Sequence, residues 1–186
     1  MRNLVMTVIV LASALSCRAQ SVIPLEGFKD YDQELPDNAY VKDLNNIRDK
    51  FVGTWSGTHD NKNYVFEIEK YTRNSENRGL KFDNLRMRYK ITDASGNVIA
   101  NTLDLPDDSP YIIRSSYIAE TGSYVLDYQG FNAACGQNGS VFIAINPNDP
   151  DKMGLGLAVQ GEVYSECDGP DATQVLPTSA MNLVRQ

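Results

Sequence analysis

The sequence predicts an all-β fold, an up-and-down barrel of about 8–10 antiparallel strands, with a two-sheet β-sandwich as the alternative. Three observations carry this. From residue 51 onward apolar and polar residues alternate with period two, the spacing of a strand with one face in a core and one in water. Clusters of Asp, Asn, Gly, Ser and Pro punctuate the alternation as turns, as at residues 60–63 (DNKN) and 93–97 (DASGN). No helix-length segment with a 3.6-residue period interrupts this run. Hairpins in sequence form a meander, and closing a meander into a barrel removes its free edges.

The first element is a signal for export. Residues 4–15 (LVMTVIVLASAL) are an apolar run behind Arg2. The run is too short for a bilayer, which takes about 20 residues, and has the length of a signal peptide's hydrophobic region. Two ends to this segment compete. Cys17-Arg18-Ala19 before Gln20 fits ordinary cleavage, giving a signal peptide of residues 1–19. Ala14-Leu15-Ser16-Cys17 is a relaxed lipobox, giving a lipoprotein signal of residues 1–16 and a lipid on Cys17. Both imply export, to the periplasm, the outer membrane as a lipoprotein, or the extracellular space. The only membrane contact implied is a lipid anchor on Cys17.

Cleavage after Ala19 removes Arg2 and Arg18, which leaves 15 basic residues against 24 acidic ones and a net charge of −9. An acidic chain without a basic stretch argues against nucleic acid and anionic lipid surfaces as partners. Cys135 and Cys167 remain as an even pair in turn-rich segments, a disulfide candidate in an oxidising compartment.

Residues 20–40 lack a period, carry Pro24, Gly27 and Pro36, and read as an extended arm. The single β domain follows over residues 41–186. It begins with Val41, Leu44, Ile47 and Phe51 at spacings of three, three and four, which predicts a short helix over 41–50. Strands are expected at 52–58, 64–71, 80–92, 98–103, 111–118, 124–131, 141–145, 153–164, 175–176 and 181–184. In the third, Leu80 and Phe82 lie on one face, whereas Leu85, Met87, Tyr89 and Ile91 lie on the other. That switch predicts a bulge or bend near Asp83-Asn84. Arg86, Arg88 and Lys90 make one face of this strand basic, and Glu67 and Glu69 make one face of the second strand acidic; a solvated outer face is the expectation, with charges pairing across the strands if the two faces coincide.

Catalytic chemistry is sparse. The single histidine, His59, stands beside Asp60 at the end of a predicted strand, and metal sites take several such ligands. Nucleophile elbows, phosphate loops and zinc-protease motifs are absent from the sequence, and CxxC pairs with them. The acidic loops at Asp104/Asp107/Asp108 and Asn146/Asn148/Asp149/Asp151 lack the EF-hand spacing. The expectation is therefore no enzyme, no metal and no cofactor. Ten tyrosines, several alternating on strands, fit a cavity lining with an apolar body and a polar tip, and fit equally an outer girdle where hairpins pack. An interior site would draw on Phe66, Met87, Tyr89, Tyr128 and Leu157, and would take a small apolar ligand. The alternative is a structural or protein-interaction domain with an envelope protein as partner.

Phe51-Val52-Gly53-Thr54-Trp55 resembles the opening of lipocalin-like barrels, which begin their first strand with Gly-x-Trp after a short helical turn. The resemblance implies that Trp55 packs at the closed end of the barrel beneath an Arg of the last strand, here Arg185, with Gly53 beside them. The chain as a whole also resembles a family of uncharacterised secreted or lipidated proteins of flavobacteria and their relatives. The residues that carry this are Cys17-Arg-Ala-Gln20, Lys42-Asp-Leu-Asn-Asn46, Phe51-Val-Gly-Thr-Trp55 and Leu183-Val-Arg-Gln186. It implies a compartment and a fold, and no established activity.

Overall fold

The alternation becomes eleven strands in a computed structural model that describes residues 20–170 and 172–186. They are β1 (Val22–Pro24), β2 (Tyr40–Lys42), β3 (Gly53–His59), β4 (Lys62–Ser75), β5 (Leu80–Asp93), β6 (Val98–Asn101), β7 (Ile113–Ile118), β8 (Tyr124–Gln129), β9 (Asn138–Asn146), β10 (Asp149–Val159) and β11 (Met181–Arg185). Eight of them, β3, β4, β5 and β7 to β11, follow one another around a closed antiparallel barrel. β11 returns to β3 through Val184↔Ser56 and Arg185↔Trp55. The ring also closes between β5 and β7, through Arg86↔Arg114 and Met87↔Ile113. The calls on the signal peptide and on Cys17 fall outside the described residues.

β5 explains the phase switch in its sequence, and the reason differs from the expected bulge. It pairs with β4 without interruption from Leu80 to Asp93. Leu85, Met87, Tyr89 and Ile91 face the barrel core. On the opposite face, Leu80 and Phe82 join a second core built by the arm from Ile23, Leu25, Ala39 and Val41. One unbroken strand thus has apolar residues on both faces because two different cores cover them. The arm is fixed as β1 and β2, which run parallel to each other and to the start of β5.

The expected helix over 41–50 is not formed. Tyr40–Lys42 is strand, and only Asp49–Phe51 makes a single 3-10 turn. Asp43 takes the backbone instead: its carboxylate accepts hydrogen bonds from the amides of Ile47 at 2.9 Å and Arg48 at 3.2 Å. Side chains of this kind compete with helix by bonding nearby backbone. Of the apolar stripe, Val41 and Phe51 are buried, whereas Leu44 is exposed. The strand expected at 175–176 is absent too, and β10 ends at Val159 rather than continuing to 164.

The inward residues of all eight barrel strands form one core, among them Trp55, Tyr64, Phe66, Leu126, Val141, Leu155 and Leu183. Close approach of β3 and β11 needs Gly57, where a Cβ would stand 2.5 Å from the Asn182 carbonyl oxygen. Outside, the acidic and basic faces coincide, with Glu67 opposite Arg88, Glu69 opposite Arg86 and Lys90 opposite Val65. Glu69 contacts both Arg86 and Arg88, and Asp107 reaches the same two arginines from the loop before β7.

Both ends of the barrel are covered. At one end the turn before β3 inserts Phe51 and a buried ion cluster, in which Arg48 pairs with Asp43 at 2.9 Å and Asp83 at 3.0 Å. At the other end residues 160–170 and 172–180 form a strap across the mouth, and Leu176 drops into the core.

Candidate functional site

The five residues expected to line an interior site do converge inside the barrel. Phe66, Met87 and Tyr89 are fully enclosed, and Tyr128 and Leu157 are at most 4% exposed. The aromatic ones form a chain of rings extended by Tyr64, with centroids 6.2 Å apart for Tyr64 and Phe66, 6.4 Å for Phe66 and Tyr89, and 6.4 Å for Tyr89 and Tyr128. These side chains are packing partners of one another and occupy the space an apolar ligand would need. Tyrosine supplies a large apolar ring and a hydroxyl that wants a partner. Burial pushes the Tyr89 phenol up to about 12 and raises those of Tyr124 and Tyr128 as well.

At the closed end, Gly53, Trp55 and Arg185 form one unit. The Trp55 indole is fully buried, and its Nε1 donates to the Phe51 carbonyl at 2.8 Å. The Arg185 guanidinium lies over the ring, 4.2 Å from its centroid. It donates to the carbonyls of Val52 at 2.5 Å and Lys50 at 2.8 Å, and pairs with Asp151 at 3.2 Å. Gly53, at φ 128°, leaves room for this, since a Cβ there would stand 3.0 Å from the guanidinium. Asp43 pairs with Arg48 and not with Arg185.

Cys135 and Cys167 form a disulfide with their Cα atoms 5.0 Å apart. It fastens the strap over the mouth to the turn between β8 and β9. Hydrogen bonds continue the attachment: Gln137 donates to Thr173 and Gln174 to Gly136, each at 2.8 Å, while the Tyr64 hydroxyl meets the Val175 carbonyl.

His59 sits on a hairpin end, where both Ser179 Oγ at 3.1 Å and Asp60 at 3.4 Å approach the same nitrogen, Nε2. A relay from serine through histidine to aspartate uses both ring nitrogens, so this contact set is not one. In the acidic loops, Asp149 pairs with Lys152, Asp151 with Arg185, and Asp107 with two arginines. Among the described residues no group of three His, Cys, Asp or Glu is placed to hold a metal ion.

The model of one protein family, described as a family of unknown function (DUF6705), matches residues 1–157. The chain belongs to that family. No curated protein and no solved structure matches it. For DUF6705 the matched span takes in the arm, β1 to β9 and most of β10, but not the strap or β11.

Two surface features of this DUF6705 chain were not legible in its sequence. One is a cleft of about 290 Å³ at the closed end, between the arm at Glu26, Gly27 and Asp30, the turn at Ile47, Lys50 and Phe51, and the β7–β8 turn at residues 118–122. Three segments far apart in sequence build it, and none carries a motif. The other is the outer face of β9, β10, β11 and β3. Phe142 stands exposed opposite Gly156, Ala144 opposite Gly154, and Val184 opposite Ser56. Bare glycines beside Phe142 leave its ring 42% exposed. The alternation had marked these positions only as pointing away from the core.

Proposed function

We propose that this protein is an exported, lipocalin-like barrel of the cell envelope that works through its outer surface as a structural or protein-interaction domain, and not as an enzyme. The observation that carries this reading is the filled interior. A lipocalin-like carrier needs an enclosed volume, and ligand sites typically measure ~300–1,000 Å³. Here Phe66, Met87, Tyr89, Tyr128 and Leu157 pack against one another instead. The exposed Phe142 and Val184 on the outer face support a protein partner, with Lys152 opposite Val184 as a charged neighbour, since apolar side chains exposed on a sheet face mark interaction surfaces. The disulfide is compatible with an oxidising compartment, in keeping with export to the periplasm, the outer membrane or the medium. The flavobacterial kinship and the choice between a lipid on Cys17 and free secretion belong to the same reading.

Native mass spectrometry of the protein extracted from its host tests it. The expected mass is that of the processed chain alone, beginning at Cys17 with a lipid or at Gln20. A stoichiometric apolar ligand would restore the carrier reading, and an intact chain beginning at Met1 would overturn export.

A further inference from the structure

We infer that Gln20 is a modification site: it becomes the first residue of the exported chain and closes on itself as a pyroglutamyl lactam. This rests on the reading of export and chooses, within it, cleavage after Ala19. Two observations favour that end of the signal over a lipid on Cys17. Ala14 stands three residues before Cys17, where a lipidation signal carries a larger aliphatic side chain. The fold also begins close behind Cys17. The Ser21 carbonyl already accepts from the Tyr40 amide at 2.8 Å, and Gln20 reaches Asn38, the neighbour of Asp37. Four residues of chain span at most about 14 Å. A lipid on Cys17 would therefore hold the exposed carboxylates of Asp37 and Glu34 against the lipid surface, an unfavourable place for so acidic an arm if that lipid is anionic.

Residue 20 supplies what the ring closure needs. The nucleophile is the α-amine that cleavage releases, and such an amine titrates near ~7.7–8.0, so a substantial fraction is neutral at neutral pH. The electrophile is the carboxamide of the same side chain, which makes the attack intramolecular. The amine nitrogen bonds to Cδ, the bond from Cδ to Nε2 breaks, and the proton shed by the amine departs with Nε2 as ammonia. Nothing is oxidised or reduced, and no co-reactant is consumed. Gln20 is exposed, so its side chain is free to turn back on its own amine. The leaving nitrogen, Nε2, donates to the Asn38 carbonyl at 3.1 Å, which is the one side-chain hydrogen bond of Gln20 among the described residues. Ring closure gives up that exposed bond and no buried contact.

The position of Gln20 gives the lactam a task. β1 is only three residues long, and it is paired along one edge alone, to β2. Behind it Ile23 and Leu25 join Ala39, Val41 and Leu80 in the second core. An enzyme trimming from an open amino end needs to remove only Gln20, Ser21 and Val22 to reach Ile23 and begin emptying that core. Chain ends are where such proteolysis concentrates. A lactam offers no free amine to an aminopeptidase, so the modification guards β1 and with it the arm's hold on Leu80 and Phe82 of β5.

Intact mass and Edman degradation of the processed protein, isolated from its host, test this. The expected mass is that of residues 20–186 with the disulfide formed, less one ammonia. Edman degradation should give no residue until a pyroglutamyl peptidase has acted, and should then read Ser21, Val22 and Ile23 in turn. The variant Gln20→Ala, altered at an exposed residue outside β1, should show no loss of ammonia and an open terminus. Under an aminopeptidase it should lose residues 20–22 at least about tenfold faster than the unaltered protein. An open Gln20 at full mass overturns the lactam and leaves export standing. A lipid-bearing Cys17 at the terminus overturns it as well, because Gln20 is then internal, and again leaves export standing. A chain beginning at Met1 overturns both. Equal trimming of the variant and the unaltered protein would overturn the guarding of β1.

Discussion

At Trp55 three requirements meet in one side chain. The ring needs burial, its N–H needs an acceptor, and its open face receives a cation. Phe51 supplies the carbonyl and Arg185 the cation, so one residue ties the turn before β3 to the last strand. Trp55→Ala should destabilise the protein by about 3–5 kcal/mol, the usual cost of deleting a large aromatic from a core. Urea unfolding followed by far-UV circular dichroism checks this, and a loss below about 1 kcal/mol would mean that the indole is not part of the closure. Gly53 and Trp55 were readable because a glycine beside a tryptophan at a strand start is a local pattern. Arg48 was not. Its role is set by Asp83 and by the Asn84 carbonyl at 3.0 Å, and periodicity never says which charges will meet across a barrel end.

Among the elements, the strap shows how a covalent tie replaces regular structure. Among the described residues of the strap there is one strand-like bridge, Cys135↔Val163, its anchor opposite the β8–β9 turn, and the disulfide lies alongside. Closing 32 residues of sequence separation restricts the unfolded chain, which stabilises a protein of this kind by about 3–4 kcal/mol. In Cys135→Ser/Cys167→Ser the global stability should fall by about that amount. Hydrogen exchange should rise first in the strap, while β4 and β5 keep their protection. Uniform loss of protection would show that the strap is not a separate unit. The cysteine pair was legible from its count and setting, whereas the strap was not, because its residues have no period. The arm and β5 teach the converse. The period of β5 was read correctly, but an alternation of apolar residues does not say how many cores a strand serves.

For the whole molecule the buried tyrosines set the alkaline limit. Burial raises the phenols of Tyr64, Tyr89, Tyr124 and Tyr128 above the ordinary value near 10. A group whose pKa is higher in the folded state contributes stability that is complete below its unfolded value. That contribution declines as pH rises toward the folded value. Stability should therefore hold to about pH 10 and fall steadily above it, with these phenols ionising only as the protein unfolds. On the acid side the Asp43 carboxyl is pushed up by burial but held below its usual range overall by its bonds from Arg48 and the two amides. Glu69 is held low chiefly by the hydrogen bond from Arg86. Their contributions are present above about pH 4 and are lost as pH falls below it. Paired measurements of phenolate absorbance and circular dichroism across the alkaline range decide the matter. All ten tyrosines ionising near pH 10 with the fold intact would contradict it.

The two closures of the ring are both brief, two residue pairs at β3–β11 and two at β5–β7. Between them lie β3, β4 and β5 on one side and β7 to β11 on the other, each joined internally by longer ladders. The molecule is in this sense a shell of two valves, hinged along two lines and held shut by what lies between. The contact of Tyr89 on one valve with Tyr128 on the other is such a clasp, and Arg185 over Trp55 is another. A barrel and a sandwich of the same strands differ only in whether those lines are sealed, which is why the sequence left both architectures open. Partial unfolding will follow the same lines, parting the valves while each keeps its own hairpins.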